Sequence, residues 1–145
     1  GDFKITLFNE TSIEVYGLDD VELVKDSLTP FYEATAPVCV RANVSTYKMA
    51  LSSTTSFKFN NNALLEYSVE LQQKTNSTQV GDAKWGKDGL ANEAYSTAIL
   101  TADNQNTGTN CGAEQTYQFG ISLANGDTND PGTYTDTVTV TVEPI

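Results

Sequence analysis

The chain has 145 residues, of which 19 are acidic and 8 are basic, so its formal net charge is −11. This charge disfavours binding to nucleic acid and to anionic membranes, since both depend on cationic side chains. The length suits one domain with its own core, and the abundance of Thr, Val, Tyr, Asn and Ser predicts an all-β fold. No apolar run reaches the roughly 18 residues of a membrane-spanning helix, so we expect a soluble chain without a membrane span.

Two amphipathic strands are predicted at the N-terminus. Phe3, Ile5 and Leu7 alternate with other residues, so they share one face of an extended strand. A polar break at residues 9–12 separates this strand from a second one that begins at Ile13. Because chain ends ordinarily fray, we expect the first strand either to pair in its own sheet or to join the sheet of another chain.

Short extended segments follow in the first half of the chain. Val21 and Leu23 predict a short extended piece after a turn. Residues 26–37 show no clean period and are interpreted as a connection. Alternating apolar residues then predict two strands, around residues 38–40 and 47–51.

The middle of the chain contains one hairpin signal. Phe57 and Phe59 precede a polar triplet at residues 60–62, which suits left-handed backbone, and strict alternation follows. The next stretch, residues 74–112, is rich in Asn, Gly, Thr and Asp. Within it, only residues 94–100 are interpreted as a strand or a short helical turn.

The C-terminal region has the clearest pattern. Residues 117–123 and 134–142 each alternate between apolar and other side chains. We predict that they form neighbouring antiparallel strands joined by a surface loop, with Val140 facing the core. Short strands with regular turn signals favour an immunoglobulin-like β-sandwich.

Cys39 and Cys111 are the only cysteines, and the chain contains no histidine. Without a CxxC pair or a histidine a zinc site is disfavoured, and we predict a single structural disulfide. A disulfide argues for an oxidising compartment, namely the periplasm, the cell surface or the extracellular space. The alternative is a cytosolic domain with two buried free thiols.

Familiar catalytic and metal-binding arrangements are missing. Without histidine no Ser-His-Asp or Cys-His set can form, and two acid pairs, Asp19 with Asp20 and Asp127 with Asp130, stand in predicted turns. An EF-hand loop starting in NGDTNDPG would need a glutamate where Val138 stands, although an irregular calcium site remains an alternative to a plain turn. We therefore expect no enzyme activity, no cofactor and no resident metal.

Several sequence features occur together in one known family. They are an N-terminal alternating strand, GLDDVEL, a cysteine strand followed by YKMAL, a second cysteine before TYQFGISLA, and the ending GTYTDTVTVTV. In this arrangement the chain resembles chaperone-usher pilins and the related spore-coat-U-like secreted proteins. The resemblance covers most of the chain, but residues 74–110 match no pattern of the family.

The resemblance implies an incomplete immunoglobulin-like β-sandwich that is completed by a donor strand from a neighbouring subunit. Residues 1–10 would form this donor strand, with Phe3, Ile5 and Leu7 buried in the groove, and residues 11–145 would form the pilin domain. The implied partners are further copies of the same chain, a periplasmic chaperone and an outer-membrane usher. The expected location is an extracellular, cell-surface fimbria reached through the periplasm.

Two functions remain in competition. The first is a structural fimbrial subunit that polymerises by donor-strand exchange and supports surface attachment or biofilm formation. The second is a secreted, self-complete sandwich that binds a receptor or glycan, with Tyr32, Tyr95 and Tyr117 as candidate contacts. The two differ in whether the N-terminal strand lies in another subunit or in its own sheet.

Overall fold

The structure is a computed structural model that describes residues 2–9, 14–18, 20–25, 31–42, 44–103, 111, 115–124, 126 and 132–145. Short 3₁₀ turns lie at Phe59–Asn61 and Ala63–Leu65. Among the described residues, no helix is long and apolar enough to cross a membrane. The strands in chain order are β1 (Asp2–Asn9), β2 (Glu14–Tyr16), β3 (Val21–Glu22), β4 (Val24–Lys25), β5 (Tyr32–Arg41), β6 (Thr46–Ser53), β7 (Tyr67–Gln73), β8 (Gln79–Gly86), β9 (Leu100–Thr101), β10 (Tyr117–Leu123) and β11 (Thr133–Pro144).

The strands form two sheets that pack as a sandwich. One sheet has the order β3-β1-β11-β6-β9, and the other has the order β2-β5-β10-β7-β8, with β4 also paired to β5. Side chains from both sheets form one buried hydrophobic cluster between them. The predicted all-β sandwich is therefore confirmed.

β10 and β11 each turn one row of alternating side chains toward the core. The odd-numbered residues of β10 and the even-numbered residues of β11 from 134 to 142 are buried there, and Gln118 and Gly120 on the other side of β10 are buried too. The threonines between those β11 residues are exposed or half-buried. These are the faces that the sequence predicts, because successive side chains of a strand point to opposite sides.

The predicted pairing of these two strands with each other is wrong. β10 lies between β5 and β7, whereas β11 lies between β1 and β6 in the other sheet. Alternation shows which side of a strand is buried but not which strand lies beside it. Two strands in facing sheets bury their apolar sides against each other as well as two neighbours in one sheet do.

β5 is longer than predicted. Residues 32–37, interpreted from the sequence as a connection, form its first half. The inward side chains there include the small Ala34 and Ala36, which make the alternation weak. Pro37 fits because, among the described residues, positions 34–38 of β5 pair on one side only, with β10.

The stretch from residue 74 contains more strand than predicted. β8 lies within it, and only Ala83 and Trp85 are buried along that strand. Two apolar residues are too few to stand out in a polar segment. Of residues 94–100, the structure places only Leu100 in a strand.

The predicted hairpin after Phe57 is reduced to one antiparallel bridge, between Lys58 and Glu66, around a pair of 3₁₀ turns. Phe59 belongs to the first turn, in which Asn60 and Asn61 have φ angles of 52° and 54°. This is the left-handed backbone that the polar triplet predicts. The chain still reverses direction, because the Tyr67 N–H donates to the Phe57 carbonyl at 2.9 Å.

A disulfide joins Cys39 and Cys111, as predicted, with their Cα atoms 5.6 Å apart. Asp103 fixes the backbone nearby. Its carboxylate accepts hydrogen bonds from the Val40 N–H at 3.1 Å and from the Thr116 hydroxyl at 2.7 Å. The disulfide and Asp103 together tie the chain before β10 to the end of β5.

Val140→Asp should abolish folding, because it places an unpaired carboxylate where the native side chain is 0% exposed. The cost approaches the whole stability of a typical domain, about 5–15 kcal/mol. Thr135→Asp is the matched control, since Thr135 is exposed on the same strand, opposite Lys4. Thermal unfolding followed by circular dichroism compares the two variants. A cooperatively melting Val140→Asp protein would contradict the placement of this side chain in the core.

Replacing both cysteines by alanine should lower the free energy of unfolding by about 2–4 kcal/mol, because the disulfide closes a long loop in the unfolded chain. Urea unfolding of the variant against the wild type measures the difference. Mass spectrometry of the unreduced native protein should find no alkylatable thiol. Two alkylated cysteines in freshly isolated protein would show that the bond is absent.

Candidate strand-binding groove

β1 occupies a groove between two strands of its own sheet. It runs parallel to β11, with Asp2 opposite Thr133 and Asn9 opposite Val140. On its other side it pairs antiparallel with the two-residue strand β3. β11 therefore holds β1 along its whole length, whereas β3 holds it only near the middle.

Three apolar side chains of β1 fill this groove. Phe3 and Ile5 are 0% exposed and Leu7 is 5% exposed, so they share one buried face as predicted. The structure places that face in the core of the same chain, which is the arrangement expected of a self-complete sandwich. Insertion of these residues into another subunit stays a prediction, as does the domain boundary after residue 10.

Phe3 lies in an aromatic pocket at the end of the groove where β11 begins. The pocket consists of Tyr32, Phe59 and Tyr134, whose ring centroids are 5.1, 5.0 and 5.3 Å from that of Phe3. Gly126 leaves room for these rings, because a Cβ there would stand 2.3 Å from Tyr32 and 3.2 Å from Phe3. Each ring pair contributes about 0.5–1.5 kcal/mol beyond the buried area. Phe3 is therefore a strong anchor of β1.

A buried carboxylate lies in the middle of the groove. Asp136 on β11 stands opposite Ile5 and is 8% exposed. Its Oδ2 accepts hydrogen bonds from the hydroxyls of Tyr67 at 2.5 Å, Ser53 at 2.7 Å and Thr55 at 3.1 Å. We call these four residues, Asp136, Tyr67, Ser53 and Thr55, the Asp136 cluster. Because β7 carries Tyr67, the cluster joins the two sheets.

The surroundings of Tyr67 in the Asp136 cluster keep its hydroxyl protonated. Burial raises the pKa of Tyr67, and the negative charge of Asp136 and the hydrogen bond to it raise this pKa further. Tyr67 therefore remains a hydrogen-bond donor at every physiological pH. The Ser53 hydroxyl also accepts the Phe57 N–H at 3.0 Å, which connects the cluster to the turn after β6.

The Asp136 cluster was not predicted from the sequence, although one signal for it is present. Asp136 falls on the inward register of TYTDTVTVTV, where the other inward residues are tyrosine and valine. A lone acid at an inward position predicts a buried carboxylate with hydrogen-bond donors around it. The donors come from distant segments, which alternation along one strand does not identify.

The tyrosines considered as ligand contacts lie in three different settings. Tyr117 is 4% exposed and its oxygen accepts a backbone N–H, so its proposed role as a surface contact is wrong. Tyr32 is half-buried and packs against Phe3. Tyr95 is 37% exposed, with the Lys48 ammonium 4.7 Å from its ring centroid.

The acids considered for catalysis or calcium binding form no site in the described structure. Asp19, Asp127 and Asp130 lie outside the described residues. Asp20 is exposed and accepts a hydrogen bond from the Thr6 hydroxyl at 3.1 Å. In the part of the chain that the structure describes, no group of three or more His, Cys, Asp or Glu residues could hold a metal ion.

Comparison with known proteins identifies the class of fold. No protein-family model matches the sequence, and no curated protein matches it. A chain of a solved structure, described as a chaperone–tip adhesin complex in CFA/I fimbriae biogenesis, superposes with a TM-score of 0.53 at 13% sequence identity. The match covers 92% of this chain and 41% of the other, so this chain spans less than half of its neighbour's length. The sandwich therefore has a fold of the fimbrial-protein type.

Tyr67→Phe should lower the free energy of unfolding at pH 7 by about 1–3 kcal/mol, because Asp136 loses its shortest hydrogen bond. The folded-state pKa of Tyr67 is raised, so its contribution is complete below the ordinary phenol pKa of about 10 and decreases as the pH rises above it. The difference between variant and wild type should therefore shrink above pH 10.

Urea unfolding at pH 7, 10 and 11 measures this difference. Tyr95→Phe is the control at pH 7, since its hydroxyl bonds Glu143 at the exposed surface, where losing it should change the stability by less than about 0.5 kcal/mol. Equal losses for the two variants at pH 7 would contradict a structural role of the Asp136 cluster.

Proposed function

We propose that the chain is a structural subunit of an extracellular fimbria, which polymerises by exchange of β1 between copies and supports surface attachment or biofilm formation. One observation carries the proposal. β1 supplies three buried apolar side chains to a groove between β11 and β3, and among the described strands it pairs with these two alone.

The energetics of the groove favour continuous occupation. Each buried apolar side chain of β1 is worth roughly 1.5–3 kcal/mol, and each ladder hydrogen bond adds about 0.5–1.5 kcal/mol. A chain whose groove is empty loses these contributions and exposes apolar surface and strand edges, which favours aggregation. The groove must therefore be refilled by its own β1, by β1 of another copy, or by an assembly partner.

The geometry of exchange favours an open chain of subunits. The donor is the apolar face of β1 and the acceptor is the groove between β11 and β3, so the two surfaces differ. Such a head-to-tail contact propagates unless the rotation between copies closes a ring. β-strand addition of this kind combines backbone hydrogen bonds for affinity with side-chain pockets for specificity.

Two findings support an extracellular fimbrial role. The fold is similar to that of a fimbrial protein, and the chain contains a disulfide, which is typical of the periplasm and the cell surface. A periplasmic chaperone and an outer-membrane usher are the proposed assembly partners, because a groove that awaits its donor strand needs cover during export. The proposal assigns no enzyme activity, no cofactor and no metal to the chain.

The second candidate function is a self-complete extracellular module that binds a receptor or glycan. The observation that favours it is the position of β1 in its own sheet, where it fills the groove that a strand of another chain would otherwise occupy. Its binding surface would lie away from the groove, and Tyr95, which is exposed, is its candidate contact among the described tyrosines. The two candidates predict different oligomeric states for the same protein.

The test is uptake of a labelled peptide with the sequence GDFKITLFN by the full-length protein. If β1 exchanges, the peptide should enter the groove at the rate at which the chain's own β1 leaves it. The same peptide with Ile5→Lys should fail, because it would bury a charge, whereas the peptide with Thr6→Lys should bind, because residue 6 is exposed and lies beside the Asp20 carboxylate.

Electron microscopy of the concentrated protein completes the test. Fibres that persist on dilution are expected, since release would break the ladder and expose three apolar side chains together. A protein that stays monomeric at high concentration and takes up no peptide would exclude strand exchange and leave the binding module as the function.

A further inference from the structure

We infer that residues 92–97 form a strap that closes one side of the sandwich, opens while the rest of the fold stays intact, and is held closed by Asp82. This segment, residues 92–97, is called the strap. It lies beside β6 and β8, whereas the β1 groove lies between β11 and β3 at the other end of the strand order. Opening of the strap is therefore independent of strand exchange at β1.

The strap covers the outer edge of β6. One edge of β6 pairs with β11 over seven residues, but β9 pairs with only two residues of the other edge. The strap takes up more of that second edge. The Glu93 N–H donates to the Leu51 carbonyl at 3.0 Å, and the Ser96 N–H donates to the Met49 carbonyl at 2.9 Å. The strap thus stands where a further strand of the first sheet would otherwise pair.

The same segment also bonds the second sheet, through two residues of β8. The indole N–H of Trp85 donates to the Ala94 carbonyl at 2.7 Å. The carboxylate of Asp82 accepts the Ser96 hydroxyl at 2.5 Å and the Thr97 N–H at 3.0 Å. Because the strap bonds β6 with some of its groups and β8 with others, it joins the two sheets on this side of the sandwich.

The strap is held by hydrogen bonds rather than by apolar burial. Asn92, Glu93, Tyr95 and Thr97 are exposed, and no strap residue belongs to the buried hydrophobic cluster. Ser96 is buried, and its hydroxyl is the one that bonds Asp82. A segment with few buried apolar contacts opens at a lower free energy than the core strands do. We therefore expect the strap to open without unfolding of the sandwich.

Asp82 is the group on which the bonds at the C-terminal end of the strap converge. These bonds, that from the Ser96 hydroxyl first, lower the pKa of Asp82, so its carboxylate is ionised at neutral pH. Hydrogen bonds to an ionised acceptor are roughly twice as strong as those between neutral groups. The Ser96 hydroxyl oxygen also accepts the Ala98 N–H at 3.1 Å, which extends the arrangement beyond the strap. Removing the carboxylate should therefore free this end of the strap.

An open strap would uncover a strand edge. The Leu51 and Met49 carbonyls would lose their partners, and unpaired edge groups of this kind pair readily with a strand of another chain. The occupant that we expect at the uncovered edge is a second copy of the chain, since every copy carries the same edge. The strap therefore prevents copies from joining edge to edge at β6.

Trp85 reports the opening, because it is the only tryptophan in the chain, is 0% exposed, and bonds the strap through its indole N–H. Hydrogen–deuterium exchange of this N–H in the full-length protein, followed by NMR at increasing urea, is compared with exchange of the β10 amides. The indole N–H should be protected at least about 10-fold less than the β10 amides, with a smaller urea dependence, because local opening exposes less surface. Equal protection and equal urea dependence would show that the strap opens only when the whole sandwich unfolds, and would overturn the inference.

Variants of Asp82 test its role. Asp82→Ala should accelerate exchange of the Trp85 indole N–H by at least about 10-fold, since bonds to a charged acceptor are lost. Asp82→Asn keeps one oxygen acceptor, so it should accelerate exchange less, and it serves if the alanine variant fails to fold. Glu33→Ala is the matched control, because it removes the same charge from an exposed position of the same sheet. An unchanged indole exchange rate in both Asp82 variants would overturn the assignment of Asp82.

Sedimentation velocity tests the consequence for association. Self-association of Asp82→Ala should shift to a lower protein concentration than that of Glu33→Ala and of the wild type. Faster indole exchange without this shift would overturn the role of the strap in covering the edge. Uptake of the peptide GDFKITLFN at the β1 groove is measured on the same variants and should equal that of the wild type. Failure of the strap experiments would thus leave strand exchange standing, and failure of peptide uptake would leave the strap standing.

Discussion

The burial of β1 between β11 and β3 is the constraint on which the sandwich depends. β1 contributes the buried side chains of Phe3, Ile5 and Leu7 to the core, and Phe3 contacts aromatic rings from both sheets. Without β1, one side of β11 would carry unpaired backbone groups along most of its length. The first strand in the sequence thus completes the sheet around the last one, and the chain's two ends are joined in one ladder.

The Asp136 cluster addresses a weakness in the sequence of β11. The repeat TVTVTV would keep valines inward and threonines outward if β11 slipped by two residues against its neighbours, so the apolar pattern alone specifies the register poorly. A buried carboxylate removes that ambiguity, because it needs its donors at Tyr67, Ser53 and Thr55. A slip of two residues would separate it from them and leave a buried charge uncompensated.

The sequence predicted those features of the structure that follow from the alternation of apolar and other residues along a strand. It located the buried faces of β10, β11 and β1, since a period of two fixes which side chains share a side. It failed for the first half of β5, whose inward residues include two alanines, and for β8, where Ala83 and Trp85 are the buried residues. A strand whose inward residues are small or few can be buried without a clear alternation in its sequence.

Partners across space were harder to predict than faces along the chain. The neighbours of β11 are β1 and β6, which lie more than 80 residues earlier in the sequence. The pattern of β11 is compatible with any apolar strand beside it, so the sequence suggested the nearer β10. The same holds for the candidate groove. The apolar face of β1 was predictable from Phe3, Ile5 and Leu7. The aromatic pocket and the Asp136 cluster were not, because their residues come from segments that are far apart in the sequence.

If β1 exchanges between copies as proposed, in-chain occupation of the groove and exchange compete, and the concentration of the protein decides between them. Both use the same donor strand, and only residues 10–13 link β1 to β2. A short link of this kind gives an effective concentration on the order of millimolar for the in-chain strand. In dilute solution the in-chain arrangement therefore prevails, even when the contacts between copies are equally good. Polymerisation becomes favourable only where the local concentration of copies is high, or where a partner keeps the groove open until β1 of the next copy binds. A fimbrial subunit with this geometry would thus convert from a self-complete monomer into a fibre at high concentration, which an assembly site would supply in the cell.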